Sequence, residues 1–182
     1  MRERQEASED AVMTRIGQAV MLLHGGDREE ARNRFGELWG ELGEAGDAFH
    51  RCALAHYMAD TQDDPGDELA WDLRALTAAD GLREESAADD RAGGGRGAGD
   101  GAGDERLAEA RAGVPGTSSV VRAFYPSLHL NLAADYVKLQ RPEAARLHLD
   151  RAREAAVALG DEGDVNGVRA GIERLERLLR GR

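Results

Sequence analysis

Large apolar residues return every three or four positions along most of the chain, which is the spacing of amphipathic helices. From about Ser8 to His24, the residues Val12, Ile16, Ala19, Val20 and Leu23 share one face. Gly25-Gly26 ends that run, and Asp27 is placed to cap the next helix. The second helix carries Ala31, Phe35, Leu38 and Leu42 and ends near Gly46; a third spans about Asp47 to Gln62. A fourth opens at Asp64-Pro65, a cap followed by a first-turn proline, carries Leu69, Leu73 and Leu76, and ends at Gly81. Farther on, Val121, Tyr125, Leu128, Leu132, Tyr136 and Leu139 keep helical spacing across Pro126. That helix begins either at Pro126 or near Ser119 with a kink at the proline, and the kink is the favoured reading. Pro142 opens a sixth helix with Ala145, Leu149, Ala152, Ala156 and Leu159 on one face. The last sets Val165, Val168, Ile172, Leu175 and Leu179 on a narrow stripe, with Glu173–Arg177 and Glu176–Arg180 at i,i+4.

The pattern lapses from about Arg83 to Ser119, where Gly, Ala and Asp prevail and large apolar residues are few. Such a stretch buries too little surface to offset the entropy of ordering it, so it reads as a flexible acidic insertion with at most a weak helical turn at Glu105 to Ala112. The expected organisation is a single domain over 1–182. Residues 8–82 form two helix hairpins, 83–118 the insertion, 119–160 a third hairpin and 161–182 a capping helix.

Composition narrows the class. Aromatic residues make up only 4% while Ala and Leu dominate, which suits helices packed closely through small side chains. Carboxylates outnumber cations 35 to 24 and the net charge is −11, which argues against nucleic acid as a partner. The one lysine is Lys138 and the one cysteine is Cys52, so neither an intrachain disulfide nor a multi-thiolate metal site can form. The apolar stretch Ala19 to Leu23 is too short for a signal-peptide core or a membrane span, so the expected location is the cytoplasm, away from membrane.

Internal repetition is visible at the small-residue positions. In Leu130 to Ala152, the residues Leu132, Ala133, Tyr136, Ala145, Leu149 and Ala152 place small side chains where two helices cross and large ones between hairpins. This segment resembles a tetratricopeptide repeat (TPR) over nearly its whole hairpin. Ala19, Leu22, Ala31, Phe35 and Leu38 follow the same template, with Gln18 in place of the preceding Leu; Leu54, Ala55, Met58 and Ala70 follow it in the middle. The spacing between units exceeds the family period of about 34 residues, and the acidic insertion falls between units two and three. The chain is similar to the short TPR proteins of bacteria with G+C-rich genomes. The resemblance implies an all-α, TPR-like helical-repeat solenoid of three antiparallel hairpins plus a C-terminal capping helix. It also implies a non-catalytic adaptor that binds a protein or peptide in its concave groove, without cofactor.

Several residues invite chemistry. Cys52, His56 and Asp60 stand at i, i+4 and i+8, so a thiolate, an imidazole and a carboxylate share one helix face and could bind a metal or activate a nucleophile. Ordinary polar lining of a TPR groove accounts for them better, since a Cys–His pair one turn apart is frequent by chance in an Ala-rich helix. The aspartates of Asp60 to Glu68 lack the ligand alternation of a calcium loop and read as helix capping. Gly97 to Ala102 matches a phosphate-loop pattern with neither strand nor helix to hold it. The five histidines, scattered and unpaired in sequence, read as surface or groove residues.

Asn131 stands where many peptide-binding TPRs carry a groove-facing amide, which can donate to and accept from a ligand backbone. The implied peptide-binding set is therefore Asn131, Asp135 and Lys138 on one helix, with Cys52 and His56 as the facing wall. Self-association into a structural dimer through the amino-terminal helix is the alternative.

Overall fold

The computed structural model describes residues 2–93, 117–159 and 165–181. All regular structure among them is helical: α1 (Arg2–His24), α2 (Arg28–Leu42), α3 (Ala48–Ala59), α4 (Pro65–Gly93), α5 (Thr117–Lys138), α6 (Pro142–Leu159) and α7 (Val165–Arg180). No described helix is long and apolar enough to cross a membrane. Packing follows chain order. Each helix lies against its successor, and each odd-numbered helix also touches the next odd-numbered one.

The core divides accordingly into three clusters, each filled by three successive helices. Ile16, Phe35, Leu38 and Leu54 join α1, α2 and α3. Ala55, Ala75, Ala79, Tyr125 and Leu128 join α3, α4 and α5. Ala133, Ala145, Leu149, Ala152 and Ile172 join α5, α6 and α7. The alanines in these clusters are completely enclosed, which lets the helix backbones approach closely.

Local chemistry accounts for the ends of the helices. Asp27 accepts from Glu30 N at the start of α2, and Asp64 Oδ1 accepts from Gly66 N and Asp67 N at the start of α4. α1 and α5 end alike. Gly26 N donates to Leu23 O and Asp27 N to Leu22 O; Gln140 N donates to Val137 O and Arg141 N to Tyr136 O. This paired arrangement needs a left-handed residue, supplied by Gly26 at φ 90° and by Gln140 at φ 57°.

Two expectations need correction. α4 does not stop at Gly81 but continues to Gly93, so the first part of the expected insertion, Arg83 onward, is helix. Leu82 is buried and the Arg83 guanidinium lies 4.8 Å over the Tyr125 ring, which ties these turns to α5. Glu, Ala and Arg also dominate the extension and are good helix formers. Residues 94–116, with the helical turn expected at Glu105 to Ala112 and the Gly97 to Ala102 match, lie outside the described residues. Second, the buried stripe of α4 is Asp72, Ala75, Ala79 and Leu82, while Leu73 is 39% exposed. α5 begins at Thr117, close to the expected start near Ser119, and continues through Pro126 rather than starting at the proline.

Leu149 is 3% exposed between hairpins, so Leu149→Ala is expected to cost about 2–5 kcal/mol. Glu173→Ala on the exposed face of α7 should change stability by less than about 0.5 kcal/mol. Denaturant melts of both variants check the assignment of helix faces, and equal losses would refute it. Gln140→Gly should stabilise by about 0.5–1 kcal/mol, since it relieves a left-handed non-glycine residue at some entropic cost. A lowered denaturation midpoint for this variant would show that the Gln140 side chain contributes more than its backbone strain removes.

Candidate functional site

Three polar stripes converge where α3, α4 and α5 meet. Asp47 caps α3, accepting from His50 N at 2.9 Å, and the turns that follow carry Cys52 and His56. The Asp64 cap starts α4 so that Glu68 and Asp72 stand one turn apart. α5 brings Asn131, Asp135 and Lys138 alongside.

The side chains of Asp72 and Asp135 are each 1% exposed. Lys138 Nζ lies 2.5 Å from Glu68 Oε1 and 3.3 Å from Asp135 Oδ1, so one ammonium bridges α4 and α5. His56 Nδ1 lies 3.8 Å from Asp72 Oδ1. It is also 3.4 Å from Asn131 Nδ2, and accepts that amide N–H when the imidazole carries its proton on Nε2. Asp72 Oδ1 and Asp135 Oδ2 are buried without any hydrogen-bond donor.

The electrostatics follow from this crowding. Burial, then the charges of Asp72 and Glu68 and a hydrogen bond with Asp72, push the Asp135 carboxyl up to about 8 against the pull of Lys138. Asp135 therefore holds a proton near neutral pH, and that proton supplies the donor the buried oxygens otherwise lack. Desolvation lowers the Lys138 ammonium, but its bonds to Glu68 and Asp135 outweigh the loss and hold its pKa above the ordinary value. Asp60, at the exposed rim, is raised by partial desolvation and by Asp72 and Glu68, with His56 and Lys138 opposing.

Of the expected set, His56, Asn131, Asp135 and Lys138 are brought together. Two members of the expected groove need correction. Cys52 is 2% exposed among Ala55, Ala75 and Leu128, and Asp135 is enclosed, so neither lines an open surface. The small residues of α4 let that helix close over both. Burial, then the Asp72 charge, push the Cys52 thiol up to about 12, which keeps it protonated and poorly nucleophilic.

Histidine placement is corrected as well: His50, His129 and His148 are buried rather than on the surface. Sequence reasoning missed Glu68 and Asp72. The signal was present, since Asp72, Ala75, Ala79 and Leu82 keep helical spacing, but the larger leucines drew the stripe to the wrong side.

Among the described residues, no group of three or more His, Cys, Asp or Glu side chains has an arrangement that could hold a metal ion. No protein-family model matches the chain, and no curated protein or solved structure matches it.

The sign of the pH dependence follows from the raised Asp135 carboxyl. Its contribution to stability is whole below the unfolded value of about 3.9 and is lost as pH rises through about 8. Asp135→Asn supplies an N–H donor at every pH. Relative to wild type, it should therefore gain stability steadily across this window and exceed it by about 1–3 kcal/mol at the alkaline end. Urea denaturation of both proteins from acid to alkaline pH measures the difference. Parallel curves would show that no proton is shared between Asp72 and Asp135.

Proposed function

We propose that this chain is a non-catalytic helical-repeat module of TPR-like architecture, and that it binds a protein or peptide segment along the α3–α5 side. The chain-order packing supports this reading: three hairpins, each closed by a short turn, odd-numbered helices side by side, enclosed alanines at the crossings and α7 closing the end.

The observation that carries the choice of ligand is the polar cluster. Lys138 bridges Glu68 and Asp135, the charge of Asp60 lies close by at the rim, and the buried oxygens of Asp72 and Asp135 lie behind it. A segment that brings a Lys or Arg to this rim meets an excess of carboxylate in a partly desolvated setting, where charge pairing is stronger than in water. His56, Asn131 and Lys138 remain the accessible part of the expected binding set, with Asp60 and Glu68 added. Asn131 then serves the ligand backbone while the carboxylates select its side chain.

An array of synthetic peptides differing only in Lys or Arg, Ala, or Glu at one position tests the reading, with fluorescence polarisation on the best binder. Basic peptides should bind best. Asp60→Asn should weaken them about tenfold, or about 1.4 kcal/mol, and Asn131→Ala by about 1–3 kcal/mol. Melting temperature should hardly move in either variant. Equal binding of basic and acidic peptides would remove the cationic preference. Unchanged affinity in Asn131→Ala would place the binding surface elsewhere.

A further inference from the structure

An open cleft lies on a different face of α5 and has a simple origin. α4 and α6 both pack against α5 but not against each other. The gap between them is a cleft of about 490 Å³, within the range of small-molecule sites. Its apolar side includes Leu76 from α4 and Leu159 from α6. α4 also contributes Arg83 and α6 contributes Arg151, with Tyr125 and His129 of α5 between them.

The polar groups of the cleft are unevenly committed. The Tyr125 hydroxyl donates to Asp80 Oδ1 at 2.5 Å, so that carboxylate is engaged. Arg83 covers the Tyr125 ring, and neither Arg83 nor Arg151 forms an ion pair with a carboxylate among the described residues. Arg153, two residues from Arg151 on α6, by contrast takes both Asp150 and Glu176. His129 Nδ1 lies 3.1 Å from His148 Nδ1, and His148 stacks on Tyr136.

Burial, His148 and the Arg151 charge, with a smaller push from Arg83 against Asp80, lower the His129 imidazole to about 4. His129 is therefore neutral near pH 7, and both guanidinium charges act at this one ring. Glu154 is the remaining carboxylate of the lining.

We propose that this cleft binds a small organic carboxylate, its anionic head held by Arg83 and Arg151 and its apolar body lying along Leu76 and Leu159. A guanidinium fork matches the planar geometry of a carboxylate and binds it through two parallel hydrogen bonds. The apolar side supplies burial for a short hydrocarbon or aromatic body. A divalent metal on the two imidazole nitrogens is the competing occupant, but two nearby guanidiniums oppose a further cation. This site is independent of the polar cluster on the α3–α5 side and stands or falls without it.

The test uses the full chain and three probes: octanoate, octylamine and Zn²⁺, each followed by calorimetry and by the imidazole C–H signals in NMR. Octanoate should bind at millimolar concentration or below and raise the His129 pKa, because an anion beside the ring favours imidazolium. Octylamine should not bind. Arg83→Gln and Arg151→Gln should each weaken octanoate about tenfold or more, the loss expected for a charged hydrogen-bonded contact. Arg151 is exposed, so its variant should keep the wild-type melt even if Arg83→Gln disturbs α4. Absence of octanoate binding, equal binding of octylamine, or unchanged affinity in Arg151→Gln would overturn the proposal. Zn²⁺ binding that shifts His129 and His148 while octanoate has no effect would assign the cleft to a metal.

Discussion

Close approach of helix backbones through alanine is the constraint on which this molecule depends. Ala31, Ala55, Ala75, Ala79, Ala133, Ala145 and Ala152 are all fully enclosed, and they stand in the clusters or helices where successive elements meet. A core with 4% aromatic residues cannot be filled by large rings, so it fills instead by bringing helices together. The few large side chains then do specific jobs. Phe35 stacks with Tyr57 between α2 and α3, and Trp39 meets Trp71 edge-on at 5.0 Å between α2 and α4.

Tight closure also determines what happens to polar groups on the same faces. Side chains that would be solvated on an open helix are enclosed once α4 packs between α3 and α5. Asp72 and Asp135 lose water together, which makes two ionised carboxylates there unfavourable and one shared proton favourable. Lys138 satisfies the outer oxygen of Asp135 and extends the network to Glu68 at the surface. The network thus grades from neutral and buried to charged and exposed.

α5 has two polar faces with opposite character. Toward α3 it carries Asn131, Asp135 and Lys138 in an environment of excess carboxylate. Toward α6 it carries Tyr125 and His129 near two guanidiniums, where burial, then His148 and the Arg151 charge keep the imidazole neutral. One long helix running through Pro126 is what places both, because a break there would have separated Tyr125 from His129. The same helix receives Arg83 from the extension of α4, so the length of α4 matters to the second face.

Helix number, helix phase and most boundaries were legible in the chain itself. Apolar spacing identified the buried faces of α1, α2, α6 and α7, and Asp27, Asp64, Pro65 and Pro142 stand at the ends their local chemistry requires. These features depend on a few neighbouring residues and on helix periodicity, so they are written locally. The stripe of α4 was not legible, since three leucines outweighed Asp72, Ala75 and Ala79, which the neighbouring helices bury instead. Its continuation past Gly81 was hidden because a glycine signals an end unless tertiary contacts hold the next turn, as Leu82 and Arg83 do. The convergence of Asp72 with Asp135, and of His129 with His148, lay beyond sequence reading altogether. Each pair joins helices whose relative placement depends on how closely enclosed alanines allow them to pack, and that distance is a property of the assembled core alone.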